Sequence, residues 1–419
     1  MSGPNARAVL IAFLLAFGAP SGAHDAQSPP EQLGKVSFPS SCQPAVQASL
    51  ERGVALLHSF WFSEGERAFR EVLARDPACA IAEWGIATAL MGNPFGSGAN
   101  PSGVQRAKEA IERGRAGGRK TERERYFIEA VAEYFDQFAA RTHMQRLKPL
   151  SAAFEAIARR FPEDDEAQIF SAVYLTATQS LTDQSYAAAL KAASILEVQF
   201  RKYPQHPGVA HYLIHSYDFP AIAEKGIDAA KRYAQIAPSA PHALHMIHFA
   251  RAVGAARSGD TEAARKDAEE LGRLRDALAA RKDAYWTEQV EIQRLAAQAW
   301  IELAQGRHEA ALALMRQSAD RQDASEKATV TPGHLAPSRE LLGEMLLELN
   351  QPGQALKEFE ASAVGNPNRF RGTFGAALAA AQARDGTKAR TYYARLLELA
   401  GKGDSRPELQ QARTWLARK

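Results

Sequence analysis

The chain has few cysteines, a small net charge and few long apolar runs. Two cysteines among 419 residues leave room for one disulfide at most. The formal net charge of +3 is too small to predict a nucleic-acid partner. No stretch after residue 19 approaches the roughly 18 apolar residues that a membrane-spanning helix needs. The sequence therefore predicts neither nucleic-acid binding nor a membrane span once its first residues are removed.

Local catalytic motifs are missing too. No glycine-rich phosphate loop, nucleophile elbow or pair of carboxylates stands out. His308 and Glu309 begin like a zinc-protease motif, but Leu312 stands where the second histidine is required. A catalytic site assembled from distant residues leaves no local trace, so enzymatic activity stays open and a binding role is favoured.

Runs of β-branched residues are also scarce, and helix-forming residues take their place. Ala, Leu, Glu, Arg, Lys and Gln dominate, and 24% of the residues are charged with both signs interleaved. This composition is typical of a largely helical protein. A chain of 419 residues exceeds what one compact core usually serves, and the composition favours an elongated helical array over several globular domains.

The first residues have the pattern of an export signal. Arg7 precedes the apolar run 9–19, and Ser21-Gly22-Ala23 fits a small-residue cleavage site. We predict a signal peptide over residues 1–23, cleaved after Ala23. The mature protein is then expected to be periplasmic or secreted.

The next segment and the two cysteines follow from that location. Residues 24–41 are rich in Pro, Ser and Gln, which predicts a flexible leader. In an oxidising compartment, Cys42 and Cys79 can form a disulfide. Two buried free thiols are the alternative.

An internal period organises the rest of the chain, residues 42–419. Gly53, Phe69 and Pro77 are separated by 16 and 8 residues, and the same intervals recur from Gly343 through Phe359 and Pro367. The prolines at positions 204 and 238 lie 34 residues apart. This is the spacing of tetratricopeptide repeats, in which each unit is a helical hairpin.

The repeated residue types suit that architecture. A small residue in the first helix lets the second helix approach, an aromatic residue fills the gap, and proline ends the second helix. We predict an all-α tetratricopeptide-repeat solenoid with about nine hairpins, starting near residues 46, 80, 131, 173, 207, 241, 291, 336 and 370. Polar inserts are expected near 92–103 and 320–337.

Several segments resemble a group of exported bacterial tetratricopeptide repeat proteins. They are SCQPAVQASLERGVALLHSFWFSEGERAF, DPACAIAEWGIA, HYLIHSYD, APHALHM, TPGHLAPSRELLGEMLLEL and NPNRF. Together they span nearly the whole mature chain. The resemblance implies the same fold and export, and it leaves the function open.

Histidines are concentrated in the middle of the chain. In the predicted frame they lie on the first helices of two adjacent hairpins, whose first helices would line a concave face. Convergent imidazoles could bind zinc or copper. The candidate metal ligands are His211, His215, His242, His245 and His248. The candidate groove residues for a peptide or small ligand are His211, Tyr212, His215, Tyr217, Asp218, His242 and His245.

Three interpretations of these histidines stay open: a metal or cofactor site, neutral imidazoles that contact a ligand, or structural hydrogen bonding alone. His206 precedes a proline in an interhelical turn and is the weakest candidate. His58 and the aromatic residues 60–62 are predicted to pack in the core. The favoured function is an exported scaffold whose concave groove recognises a partner protein, peptide or envelope component. The alternative is a periplasmic metal- or metallocofactor-binding protein, with the cofactor unknown.

Overall fold

Alanine-rich segments with apolar residues every three or four positions fold into helices along most of the chain. The computed structural model describes residues 31–96, 98–180, 183, 185–219, 222–325, 336–400 and 406–417, with only the backbone at 234 and 241–243. The chain divides into two units, residues 1–31 and 32–419. The predicted signal peptide and its cleavage site after Ala23 lie outside the described residues.

Nineteen α-helices, and no β-strand, form in the part of the chain that the structure describes. They are α1 (Gln47–His58), α2 (Phe62–Arg75), α3 (Ala80–Met91), α4 (Pro101–Ala116), α5 (Glu122–Phe135), α6 (His143–Arg160), α7 (Asp165–Ala177), α8 (Ala187–Lys202), α9 (Pro207–Tyr217), α10 (Ile227–Ile236), α11 (Pro241–Arg257), α12 (Thr261–Ala280), α13 (Ala284–Ala304), α14 (His308–Ala324), α15 (Ser338–Glu348), α16 (Pro352–Gly365), α17 (Phe370–Gln382), α18 (Gly386–Ala400) and α19 (Pro407–Leu416). Successive helices pack in pairs from α1–α2 to α17–α18, and α19 packs on α18. The fold is an all-α tetratricopeptide-type solenoid, as predicted.

Hairpin starts agree with the predicted period in some units and differ in others. The predicted starts at 80, 207, 241 and 370 are the first residues of α3, α9, α11 and α17. The predicted starts at 131, 173 and 291 fall inside α5, α7 and α13. For α5 and α7 the reason is helix capping: Thr121 and Glu124 form a reciprocal capping box before α5, and the Asp164 side chain accepts a hydrogen bond from the Ala167 N–H before α7.

Phenylalanine between two glycines explains the repeated interval. Phe69 on α2 is fully buried between Gly53 on α1 and Gly85 on α3. A Cβ atom added at Gly53 would lie 2.7 Å from the Phe69 ring, and one added at Gly85 would lie 2.5 Å from it. Both distances are shorter than any normal contact, so the close approach of three helices requires glycine at both positions.

The same arrangement recurs near the C-terminus. Phe359 on α16 lies between Gly343 on α15 and Gly375 on α17, where added Cβ atoms would lie 2.7 and 2.4 Å from its ring. The second glycine of each set stands 16 residues after the phenylalanine. The repeat unit therefore includes the first helix of the following hairpin.

Residues 32–41, which we call the strap, form no helix and run across interhelical turns. The Ser239 N–H, in the α10–α11 turn, donates to the Gln32 carbonyl at 3.1 Å. The Lys35 N–H donates to the Gln205 carbonyl, in the α8–α9 turn, at 2.8 Å. Main-chain hydrogen bonds therefore hold the strap against the turns of two successive hairpins.

The far end of the strap is fixed by an aromatic side chain and a carboxylate. Phe38 is fully buried and stacks on Trp84, with ring centroids 5.4 Å apart. The Ser41 N–H donates to Glu124 at 2.8 Å. Of the leader predicted for residues 24–41, the part from residue 32 has a buried anchor and backbone partners.

A disulfide ties the end of the strap to the second hairpin. Cys42 is bonded to Cys79, which precedes α3, and their Cα atoms lie 4.7 Å apart. Both residues are buried. The bond closes a loop that contains the whole first hairpin, so it restricts the unfolded chain there.

Reduction of this disulfide is expected to lower the free energy of unfolding of the first hairpins by about 3–4 kcal/mol, because the closed loop loses its entropic restraint. Urea titrations with and without reductant measure the change. The Cys42→Ser/Cys79→Ser variant is the control and should not respond to reductant. Alkylation of two thiols in the native, unreduced protein would contradict the expectation.

The first hairpin also meets hairpins that lie far along the sequence. The end of α1 contacts α9, and the Trp61 indole N–H donates to Asp283, before α13, at 3.2 Å. Aromatic side chains fill the space between α1, α3, α5 and α7.

None of the helices in the described ranges is long and apolar enough to cross a membrane.

Candidate functional site

The predicted histidine pair on α9 is buried and hydrogen-bonded. His211 and His215 stand one helical turn apart, 2% and 5% exposed. His211 Nδ1 lies 2.7 Å from the His58 carbonyl, and the Nε2 atoms of His211 and His215 are 3.1 Å apart. His211 must therefore carry its proton on Nδ1, and His215 donates from Nε2. Burial, together with the neighbouring His215, lowers the pKa of His211 well below its ordinary value.

The histidines on α11 do not join this pair. His245 Nδ1 lies 2.7 Å from Oε1 of Gln293 on α13. His248 Nδ1 lies 2.7 Å from Oδ1 of Asp267 on α12. The side chain of His242 lies outside the described residues.

Among the described residues, side chains that could jointly ligate a metal form two groups of three. Neither group contains a member of the predicted five-histidine set, because the α9 and α11 histidines use different neighbours. One group is Cys42, Asp76 and Cys79, whose sulfurs are already joined in the disulfide.

The other group consists of His58, Glu166 and His206, which we call the His–Glu–His cluster. His58 Nε2 lies 2.9 Å from Glu166 Oε2, and His206 Nε2 lies 2.9 Å from Glu166 Oε1. All three residues are at least 95% buried, with exposures of 0%, 2% and 4%. The end of α1, the first turn of α7 and the residue before α9 bring them together.

The absence of a side chain at Gly208 lets His58 lie close to the start of α9. A Cβ atom added at Gly208, in the first turn of α9, would lie 2.4 Å from His58 Nδ1. On its other sides the His58 ring stacks on Phe170, with centroids 4.7 Å apart, and its Nδ1 lies 2.9 Å from the Tyr212 hydroxyl. The ring of His58 is therefore fixed by contacts on every side.

The cluster holds one negative charge between two imidazoles. Burial lowers the pKa of His58 below its ordinary value, although the Glu166 carboxylate opposes the shift. Burial alone would raise the pKa of Glu166, but the nearby imidazoles of His58 and His206 lower it below its ordinary value. A carboxylate that accepts an N–H bond from each of two neutral imidazoles satisfies these requirements.

The three other predicted groove residues have separate positions. Burial raises the pKa of the Tyr212 hydroxyl well above its ordinary value, and that hydroxyl contacts His58. The Tyr217 hydroxyl donates to Glu197 at 2.5 Å. Burial raises the pKa of Asp218. Tyr212 is therefore the one that supports the His–Glu–His cluster.

A cavity of about 620 Å³ reaches the cluster from outside. Glu166 and His206 lie on its wall. The strap forms one side, and the α6–α7 turn forms the opposite side. Val36 of the strap, Phe161 of the turn and Ile169 of α7 supply apolar surface. We call this space the strap cavity.

Ionic groups of the strap cavity are paired within the protein. Arg123 forms an ion pair with Asp164 and lies over the Phe38 ring, 4.3 Å from its centroid. Asp165 accepts from Lys202 at 2.8 Å. The cavity therefore combines an apolar surface with ion pairs that are made within the protein.

Sequence reasoning missed this cluster. His58 was predicted as core packing and His206 as a weak turn residue, and Glu166 sits in the acidic run Glu163 to Glu166 that looks like a helix start. One feature of the sequence could have indicated part of the cluster. Asp164 is a favourable N-cap residue, and a helix that begins after it has Glu166 in its first turn. No local pattern indicates that α1 ends beside them.

No protein-family model matches the sequence, and no relative is found among curated proteins. Several solved structures are similar. The APC/C hetero-tetramer Cut9–Hcn1 has a TM-score of 0.43 at 12% identity, over 89% of this chain and 76% of that one. A tetratricopeptide repeat protein from Parabacteroides merdae has 0.42 at 10%, over 70% and 98%. Yeast Tom70 has 0.40 at 10%, over 87% and 86%. At this level the similarity says nothing about function.

Proposed function

We propose that the protein is an exported binding scaffold that holds an extended segment of a partner polypeptide in the strap cavity. The observation that carries the proposal is the strap. It is a non-helical segment bound to the turns through main-chain hydrogen bonds, such as that from Lys35 to Gln205, and it shows that these turns can hold a stretch of polypeptide. Export rests on the N-terminal signal and agrees with the pairing of the two cysteines.

The cavity has the properties that such a ligand needs. Its volume of about 620 Å³ lies in the range of natural ligand sites. Val36 and Phe161 both line the cavity and are half-buried, so both can contact an apolar ligand side chain. Because Arg123 and Asp165 are already paired, we expect selection by shape and main-chain hydrogen bonds rather than by a strong ligand charge.

The location differs from the groove predicted on the first helices of the α9 and α11 hairpins. His211, Tyr212 and His215 are buried against α1 and other parts of the chain. A partner would therefore bind beside the interhelical turns, where the cavity opens.

Replacing Phe161 by serine is expected to weaken peptide binding about tenfold, which corresponds to ~1.4 kcal/mol of lost apolar contact. An array of extended decapeptides, each with one large apolar residue, is probed with the purified chain starting at His24, and affinity for the best peptide is measured by fluorescence anisotropy. Val364→Ser, at a position 88% exposed on α16, is the matched control. Equal loss in both variants, or no binding by the unmodified protein, would refute the proposal.

A further inference from the structure

We propose that the His–Glu–His cluster is a binding site for a divalent transition-metal ion, best matched to Zn²⁺. The cluster, defined above by His58, Glu166 and His206, lies outside the set of histidines predicted from the sequence. The inference does not depend on peptide binding, because it rests on the donor atoms and their geometry alone.

The donor set has the chemistry of a zinc site. Two imidazole nitrogens and one carboxylate oxygen are a ligand combination that zinc accepts, and three protein ligands leave one coordination position for water or a ligand group. Glu166 is already flanked by both imidazoles, at 2.9 Å each. A cation would take the place of the two N–H hydrogen bonds to the carboxylate, and each imidazole would keep its proton on the other ring nitrogen.

Only small movements separate the present geometry from a coordinated one. The three ligand atoms lie within 4.8 Å of one another. Tetrahedral zinc with bonds of about 2.0–2.1 Å places its ligand atoms roughly 3.3 Å apart. The N–O separations must therefore widen from 2.9 Å by a few tenths of an ångström, and any pair near the 4.8 Å bound must close by about 1.5 Å. Because Phe170 and Gly208 hold the His58 ring, these movements fall on Glu166 and His206.

Coordination through Nε2 requires each imidazole to carry its proton on Nδ1. For His58 the partner at that position is the Tyr212 hydroxyl, at 2.9 Å, which can accept as well as donate. This second contact orients the ring in the way that metal-bound imidazoles usually are. For His206, Nδ1 now accepts a 3.3 Å hydrogen bond from the Val209 N–H, and binding breaks that one contact. The two rings thus contribute unequally, His58 being the better prepared ligand.

An entry path reaches the cluster. Glu166 and His206 line the strap cavity, so an ion can approach from that side without unfolding of α1. His58 closes the inner side with its ring held by Phe170 and Gly208. The open coordination position is expected to face the cavity, where a carbonyl or carboxylate of a bound molecule could occupy it.

Metal titration of the full untagged chain tests the proposal. After dialysis against a chelator, the protein is titrated with Zn²⁺ by calorimetry and with Co²⁺ by absorption spectroscopy. We expect one equivalent of each ion to bind, with visible Co²⁺ bands of a four- or five-coordinate nitrogen–oxygen site. X-ray absorption of the zinc form should show two imidazoles and no sulfur ligand.

Two variants assign the site. Glu166→Gln keeps the size of the side chain and removes its charge, and it should weaken binding at least about 100-fold, as should His206→Gln. His215→Gln is the matched control, because His215 is an equally buried imidazole outside the cluster, and its affinity should not change. If Glu166→Gln fails to fold, His206→Gln and the spectra of the unmodified protein still decide.

Three results would overturn the inference. The first is less than a tenth of an equivalent of bound Zn²⁺ or Co²⁺ in the unmodified protein. The second is undiminished binding in the folded Glu166→Gln and His206→Gln proteins. The third is a loss in His215→Gln as large as that in His206→Gln, which would mean that the loss does not report on ligands of the cluster.

Discussion

Replacing Phe69 by alanine is expected to lower the free energy of unfolding of the first hairpins by about 3–5 kcal/mol. The ring is fully buried and touches helices of two successive hairpins, through Gly53 and Gly85. Its removal leaves a cavity that three helices share and that none can close alone. Phe359→Ala should cost a similar amount near the C-terminus, because Gly343 and Gly375 surround that ring in the same way.

A second substitution tests close packing against Phe69 more directly. The sign of its effect on the free energy of unfolding should depend on whether the Phe69 ring is present. In the unmodified protein, Gly85→Ala places a Cβ atom 2.5 Å from the Phe69 ring and is expected to cost about 1–3 kcal/mol. In the Phe69→Ala background the methyl group enters the vacated space. The helix preference for alanine over glycine, about 0.5–1 kcal/mol, should then make the same substitution stabilising.

The control is a helical glycine without neighbours. Gly254 lies inside α11, and an added Cβ atom there meets nothing within 4 Å. Gly254→Ala should therefore stabilise the protein in both backgrounds. Urea unfolding of the four proteins in the Gly85 and Phe69 cycle gives the coupling directly. If Gly85→Ala costs the same with and without the ring, close packing against Phe69 is not the reason for glycine at that position.

The fold was predictable because the same residue types recur at fixed, short intervals along the sequence. Glycine, phenylalanine and proline at fixed intervals identify the hairpin, and prolines at the first position of α9 and α11 mark two helix starts directly. The predicted starts at 131 and 173 fall inside α5 and α7, whereas the capping residues Thr121 and Asp164 mark where these helices begin. Closer attention to capping would have corrected both.

The cluster was not predictable in the same way. His58 and His206 lie far apart in sequence, and they meet only because the end of α1 packs against α9. That contact depends on how each hairpin is rotated relative to the next, which is the sum of many small packing preferences. A period identifies neighbours one repeat away, but it does not indicate which distant hairpins touch. The anchoring of the strap was not foreseen for a related reason, since Leu33, Val36 and Phe38 are isolated apolar residues in a polar segment and the binding site of Phe38 is built by α3 and α5.

Acidification should destabilise the protein steeply through His211. Burial and the neighbouring His215 lower the pKa of His211 well below its ordinary value. The unfolded chain therefore binds a proton near pH 6.5 that the folded chain excludes, and stability falls as the pH drops below that value. Above it both states are neutral at this position, and the contribution is constant. One excluded proton corresponds to a slope of about 1.4 kcal/mol per pH unit.

The slope of the free energy of unfolding against pH can be assigned to His211 with a variant that keeps its hydrogen bond to the His58 carbonyl. His211→Asn retains an N–H group that can donate to the His58 carbonyl, which His211 Nδ1 now contacts at 2.7 Å, but it cannot be protonated. Between pH 6 and 5 its free energy of unfolding should fall less steeply than that of the unmodified protein, by about 1.2–1.4 kcal/mol per pH unit. Tyr233→Phe alters the ring that stacks on His211 at 4.8 Å without removing a titrating group in this range, and its curve should run parallel to the unmodified one. Parallel curves for His211→Asn as well would mean that the buried α9 pair accepts its proton in the folded state, through a rearrangement that separates His211 from His215.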